Sequence, residues 1–306
     1  MTTYADALLE LASDDERVIV MTAENRAAIR SLPPLLGPRF VDTGITEQTM
    51  VGMAAGLALR GRIPVVHALA TFLTMRAFEF VRTDVGIPAL PVKLVGSVPG
   101  VLSEANGPTH QALEDVALMR GIPNVRVFCP ADVDELCAGL GPVVRDSSPW
   151  YIRFCDRPPV VEHSPFEIGA AEVFDASEDD DIAIVVAGAL FREAWEAARI
   201  LRDEGFAVRL VNLRTLKPVD TTAILEAAWS ASAIVTVEDH FEAGGVWSIV
   251  ADLLARTSVH THTIPISLGD RWFTPALLPD ALECARLTGA AIAERIVAEH
   301  DELTVL

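Results

Sequence analysis

The chain has 306 residues, 51% of them hydrophobic, and a formal net charge of −19 from 24 Lys plus Arg against 43 Asp plus Glu. Such a length holds one large domain or two ordinary ones, each with a real core, while the charge repels nucleic acid and acidic membranes. No apolar run reaches the roughly eighteen uncharged residues that a membrane span needs. The opening "MTTYADALLELASDDERVIV" lacks a basic segment followed by an apolar one, so no signal peptide is expected and the cytoplasm is the expected compartment. Cys129, Cys137, Cys155 and Cys284 show no metal-ligand spacing and are expected as reduced core residues.

Short β-branched runs alternate with amphipathic stretches, the pattern of parallel sheets covered by helices. Strands are predicted at 17–23, 63–69, 91–97, 125–130 and 150–154, with helices at 46–60, 71–83, 108–120 and 132–145. The stretch "CDRPPVVEHSPFEIG" has three prolines and no period, and reads as a connector. A second series follows, with strands at 182–189, 207–216, 233–240 and 261–267 and helices at 191–204, 220–230, 245–256 and 279–300. The expected fold class is α/β, two doubly wound domains at 1–155 and 170–306 joined by a linker at 156–169.

Two places carry chemistry. In "VDTGITEQTMVGMAAGLALRG" a lone carboxylate, Glu47, opens an otherwise apolar helix. Thr43 or Thr46 followed by Glu or Gln suggests a cap, which the helix dipole favours. A helix apolar on every side is buried, however, and burial raises a carboxyl pKa unless a partner compensates, which suits proton transfer. The second is "GVLSEANGPTHQALEDVALMRGIPNVRVFCPAD", where Gly107 and Pro108 turn into a helix whose first turn carries His110. The dipole there favours a neutral imidazole, and such loops at the C-terminal edge of a parallel sheet line the ligand crevice.

"GITEQTMVGMAAGLAL", "ATFLTMRAFEFVR" and "GPTHQALEDVALMRGIPNVRVFCPAD", in this order and spacing, resemble the pyrimidine-binding domain of transketolases, and the part containing "VEDHFEAGGVWSIVADLL" resembles the family's C-terminal domain. The resemblance implies thiamine diphosphate as cofactor, with its thiazolium attacking a ketose carbonyl. Glu47 matches the glutamate that hydrogen-bonds the aminopyrimidine ring and triggers activation of the cofactor. Phe72 matches an aromatic against the pyrimidine, with Phe78 a second candidate, and His110 matches a histidine on a substrate hydroxyl. The family's Gly-Asp-Gly motif and downstream asparagine, which hold diphosphate and a divalent metal, have no counterpart here, and no metal ligands are assigned to this chain. The resemblance therefore implies the second subunit of a split transketolase. A diphosphate-binding partner would hold cofactor and Mg, in an α2β2 assembly acting on a ketose and an aldehyde.

The chain also departs from the family. Asn106 stands where sugar-phosphate enzymes carry an aspartate, Val98 replaces a phosphate-contacting histidine, and Ala28 stands where a serine does. Of that cluster Arg153 is the residue expected to remain on the substrate. Losing most of a charge-assisted clamp implies an unphosphorylated or unusual acceptor, as in secondary metabolism. The competing readings are the β chain of a 2-oxoacid dehydrogenase, a 1-deoxyxylulose 5-phosphate synthase, and a noncatalytic scaffold subunit.

Overall fold

The computed structural model describes residues 3–304. The first half supplies strands β1 (Val18–Thr22), β2 (Phe40–Asp42), β3 (Ile63–Leu69), β4 (Lys93–Ser97), β5 (Arg126–Phe128) and β6 (Trp150–Arg153). The second supplies β7 (Glu172–Phe174), β8 (Asp180–Val186), β9 (Val208–Asn212), β10 (Thr215–Lys217), β11 (Ala231–Val237) and β12 (His262–Ile266). They form a seven-stranded sheet in the order β10-β5-β6-β4-β3-β1-β2 and a five-stranded sheet in the order β12-β11-β8-β9-β7. All pairings are parallel except at two edges, where β10 runs antiparallel to β5 and β7 antiparallel to β9. The central strands are buried along their whole length, as β-branched runs covered by helices on both faces should be. Among the described residues no helix is long and apolar enough to cross a membrane.

Several elements depart from expectation. The run at 207–216 divides into β9 and β10, because the Arg214 side chain turns into a buried acidic cluster while its carbonyl accepts from the Cys129 amide. The chain thereby crosses over, and the second half provides the edge strand of the first sheet. The helix expected at 108–120 begins only at Asp115. The Ala112 and Leu113 carbonyls accept from the Gly100 and Phe241 amides instead, so the backbone before Asp115 is bound to its neighbours. The helix expected at 279–300 is broken at Arg286, which adopts a left-handed conformation between Leu278–Ala285 and Gly289–Thr304. Cys129 and Cys155 are buried thiols as expected, whereas Cys284 is exposed.

Two buried ion clusters tie the halves together. In the first, Arg153 on β6 reaches Asp115 at 3.0 Å and also pairs with Asp239, just beyond β11. Tyr151 donates to the same Asp115 carboxylate at 2.6 Å. Arg153 is only 3% exposed, and this corrects its expected place on a substrate: the two carboxylates neutralise it in the interior. In the second, Arg214 bridges Glu135 and Glu172 at 2.9 and 2.8 Å. The connector's His163 lies between Glu172 and Asp132, at 2.7 Å from each. Glu135, His163 and Glu172 lie close enough to hold an ion. Both imidazole nitrogens are already committed to carboxylates and a guanidinium bridges the acids, so the cluster is an ion network.

Both clusters are testable through stability. Replacing Arg153 by Met leaves two buried carboxylates unpaired and should cost roughly 3–5 kcal/mol in a urea titration. Unchanged unfolding would return Arg153 to a substrate role. Burial alone would lower the His163 pKa, but hydrogen bonds from its ring to Asp132 and Glu172 outweigh this and push it up from 6.5 to about 10. The folded state therefore holds a proton that the unfolded state releases first. The stability advantage of wild type over His163→Asn should be full below about pH 6.5 and disappear as pH rises through about 10. Thermal melts across that range check it; a constant difference would refute the assignment.

Candidate active site

The chain runs from β1 outward to β2 and then returns to form β3 on the other side of β1, which makes a switch point between neighbouring strands. Crevices outside the carboxyl ends of strands at such points are the usual ligand sites of open α/β sheets. A cavity of about 470 Å³ lies there, lined by Ala23 and Asn25 beyond β1, Leu69 at the end of β3, Arg26, Arg30, Ile45, Glu47 and Phe72.

Glu47 opens the Glu47–Leu59 helix and is 2% exposed. The turn that delivers it is built by Gly44 at φ +69°, whose amide donates to Asp42 at 2.9 Å. The capping arrangement suggested by the sequence does not form, because the Thr46 hydroxyl donates backward to the Thr43 carbonyl at 2.9 Å. The carboxylate instead accepts from Arg76 at 2.9 Å, the partner that sequence reading left open. The helix is not buried on every side either. Met50, Val51, Ala54 and Ala55 face the core, while Met53 and Leu59 are 44% and 71% exposed.

Phe72 and Arg76 share a π-helical turn, in which the Ala77 amide donates to the Phe72 carbonyl at 3.1 Å. The Arg76 guanidinium lies over the Phe72 ring, 4.0 Å from its centroid. The ring in turn meets His110 edge-on, with centroids 5.2 Å apart. His110 sits in a Gly107–Gln111 turn well before the helix at Asp115, so the expected dipole effect on its ring does not apply. Its Nδ1 is 2.9 Å from the Thr109 hydroxyl.

Glu47, Phe72 and His110 are thus brought together. Asn106 is exposed at the end of the preceding loop, its amide donating to the Ser103 carbonyl at 2.9 Å. Phe78 is half-buried against the core of the first sheet and is not among the cavity's lining residues. Sequence reasoning missed Arg76, Arg26 and Arg30. The signal for the last two was available: two arginines follow directly on a predicted strand at the edge where ligands bind. Arg26 donates to Asp42 at 2.5 Å. Arg30 has no carboxylate partner among the described residues.

Comparison with known proteins gives this geometry a family. Residues 1–157 match the model "Transketolase, pyrimidine binding domain" and residues 171–292 match "Transketolase, C-terminal domain". A 6-deoxy-6-sulfo-D-fructose transketolase subunit SqwH from Clostridium sp. is 37% identical, over 82% of this chain and 79% of its own length. An apulose-4-phosphate transketolase subunit from Phocaeicola vulgatus is 32% identical over 86% of each chain. A solved structure described as "Split gene transketolase, inactive beta4 tetramer" superimposes with a TM-score of 0.82 at 32% identity, covering 95% of this chain and 94% of that one. With both halves matched in sequence and the whole chain superimposed, this protein belongs to the transketolase family.

Proposed function

We propose that this chain is the pyrimidine-binding subunit of a cytoplasmic two-chain transketolase that moves a ketol unit from a ketose to an aldehyde. The observation that carries the reading is a buried acid, Glu47, on the wall of a cavity at a sheet switch point, with Phe72 and His110 in contact beside it. This donor set suits thiamine diphosphate: a buried carboxylate for a ring nitrogen and an aromatic face for a pyrimidine. When bound, the cofactor supplies a thiazolium carbon that attacks the ketose carbonyl. Glu47 holds the proton at the pyrimidine nitrogen, Phe72 packs against that ring, and His110 orients a substrate hydroxyl. Diphosphate and a divalent metal fall to the partner subunit. Ile45, Met53, Leu59 and Ile87 present an exposed apolar surface in the same half of the molecule, suited to a subunit contact.

The substrate on this reading is specialised. Val98 and Ala28 stand where the phosphate-binding residues of sugar-phosphate enzymes do and Asn106 where their hydroxyl-contacting aspartate does, while Arg30 on the cavity wall, without a carboxylate partner among the described residues, offers a guanidinium to an acid group. Two relatives are named for sugars carrying a sulfo group or a phosphate. An acid-bearing sugar outside central sugar metabolism fits both observations.

Two outcomes check this. In the reconstituted two-chain complex, Glu47→Gln should lower turnover roughly 10²–10⁴-fold with assembly intact. Normal turnover would leave a scaffold role. Arg30→Gln should raise KM roughly 10- to 100-fold for an acid-bearing sugar and leave a neutral one unchanged, as expected for loss of a charged hydrogen bond. Efficient, preferred use of xylulose 5-phosphate with ribose 5-phosphate would refute the specialised substrate.

A further inference from the structure

Arg76 has no role in the reading above, yet it touches both groups to which that reading assigns the cofactor. Its NH1 donates to Glu47 Oε2 at 2.9 Å, and its guanidinium plane covers the Phe72 ring at 4.0 Å. Among the described residues, that is the only hydrogen bond to the Glu47 carboxylate. A glutamate side chain has several rotatable bonds, and no second hydrogen bond among the described residues orients this one. Its direction therefore depends on the guanidinium. The Phe72 ring, half-buried, has Arg76 on one side and the edge of His110 against it, so its tilt also depends on Arg76. Phe72 and Arg76 are four apart on one helical turn and so lie on the same face, which lets one guanidinium reach both the ring and the acid.

We infer that Arg76 is a positioning residue for the cofactor's pyrimidine: through one planar cation it sets the direction of the acid and the tilt of the aromatic on which that ring binds. The inference rests on the thiamine reading. Both contacts need a flat, permanently charged group. Lysine keeps the charge and loses the planar stack; glutamine keeps a planar donor and loses the charge. The four side chains Glu47, Arg76, Phe72 and His110 form one contiguous row, so a shift in Arg76 reaches both the cofactor acid and the substrate histidine.

The test is calorimetric titration of the reconstituted two-chain complex with thiamine diphosphate, alongside kcat at saturating cofactor. Arg76→Gln should weaken binding about tenfold or more and lower kcat as well. Arg76→Lys should fall between Gln and wild type. Arg82→Gln, an exposed arginine on the next turn, should bind as wild type does. Unchanged or tighter binding by Arg76→Gln overturns the inference, since the guanidinium would then be idle or competing with the pyrimidine. Wild-type affinity in Arg76→Lys overturns it too, because charge alone would suffice, and this variant decides the matter should the Gln variant fail to assemble. A wild-type complex that binds no thiamine diphosphate would instead sink the underlying function.

Discussion

The loop that leads to His110 is held by one buried cation. Arg153 sits between Asp115 and Asp239, and the same Asp239 carboxylate accepts from the Val101 amide at 3.1 Å. This pulls the 100–106 loop onto the second half of the molecule. Gly100 carries φ +53°, and a Cβ there would lie 1.9 Å from Asp239, so only glycine lets the backbone come so near. The next turn carries His110. A guanidinium more than 95% buried thus sets the height at which the imidazole stands beside Phe72. Buried ion pairs are weak sources of net stability, because desolvating the charges offsets most of their attraction. Here the geometry gives such a pair a use that an apolar substitute could not serve, since it fixes two halves and one loop in a single register.

The two kinds of cation are used differently. Only two lysines occur, Lys93 and Lys217. Both end on backbone carbonyls: Lys93 on Asp146 and Ser148, Lys217 on Arg120 and Ile122. Burial pushes the Lys93 pKa down to about 7, as expected for an ammonium whose nearest acceptors are carbonyls. Arginine holds the carboxylate bridges at Arg153, Arg157 and Arg214, where a rigid fork can serve two acceptors at once. Other arginines pair with acids at the exposed surface, among them Arg17, Arg199 and Arg256.

The sequence was most legible where local period and tertiary packing agree. The Glu47–Leu59 helix and β3 fall within a residue of expectation because apolar spacing and burial select the same faces. The Tyr4–Asp14 helix was missed although its signal was present: Thr3 and Asp6 form a capping box. The helix expected at 108–120 failed because two carbonyls find partners far away in sequence, which no local pattern encodes. Arg153 failed for a related reason. Its position on a strand is readable, but both carboxylates that neutralise it lie more than thirty residues away, and its side-chain direction follows from them. The motifs that contain Glu47, Phe72 and His110 pointed to residues that the fold gathers at one crevice. Arg76 was not legible, because its partner Glu47 lies 29 residues earlier in the chain and no local spacing encodes that pairing.

The cavity and the exposed apolar surface belong together. Ile45 lines the cavity and is 67% exposed, so the same residue borders the site and the uncovered face. It lies two residues before Glu47, and the helix that follows turns Met53 and Leu59 outward. Exposed apolar side chains beside a ligand crevice are costly to leave in water, and burying them under a second chain would gain free energy. Covering it would also remove water from around Glu47 and strengthen the Arg76 ion pair, whose cation is still 39% exposed in this chain. On the proposed function, assembly and pyrimidine binding would be physically linked, since a chain that covered the apolar residues would also lower the dielectric around the acid.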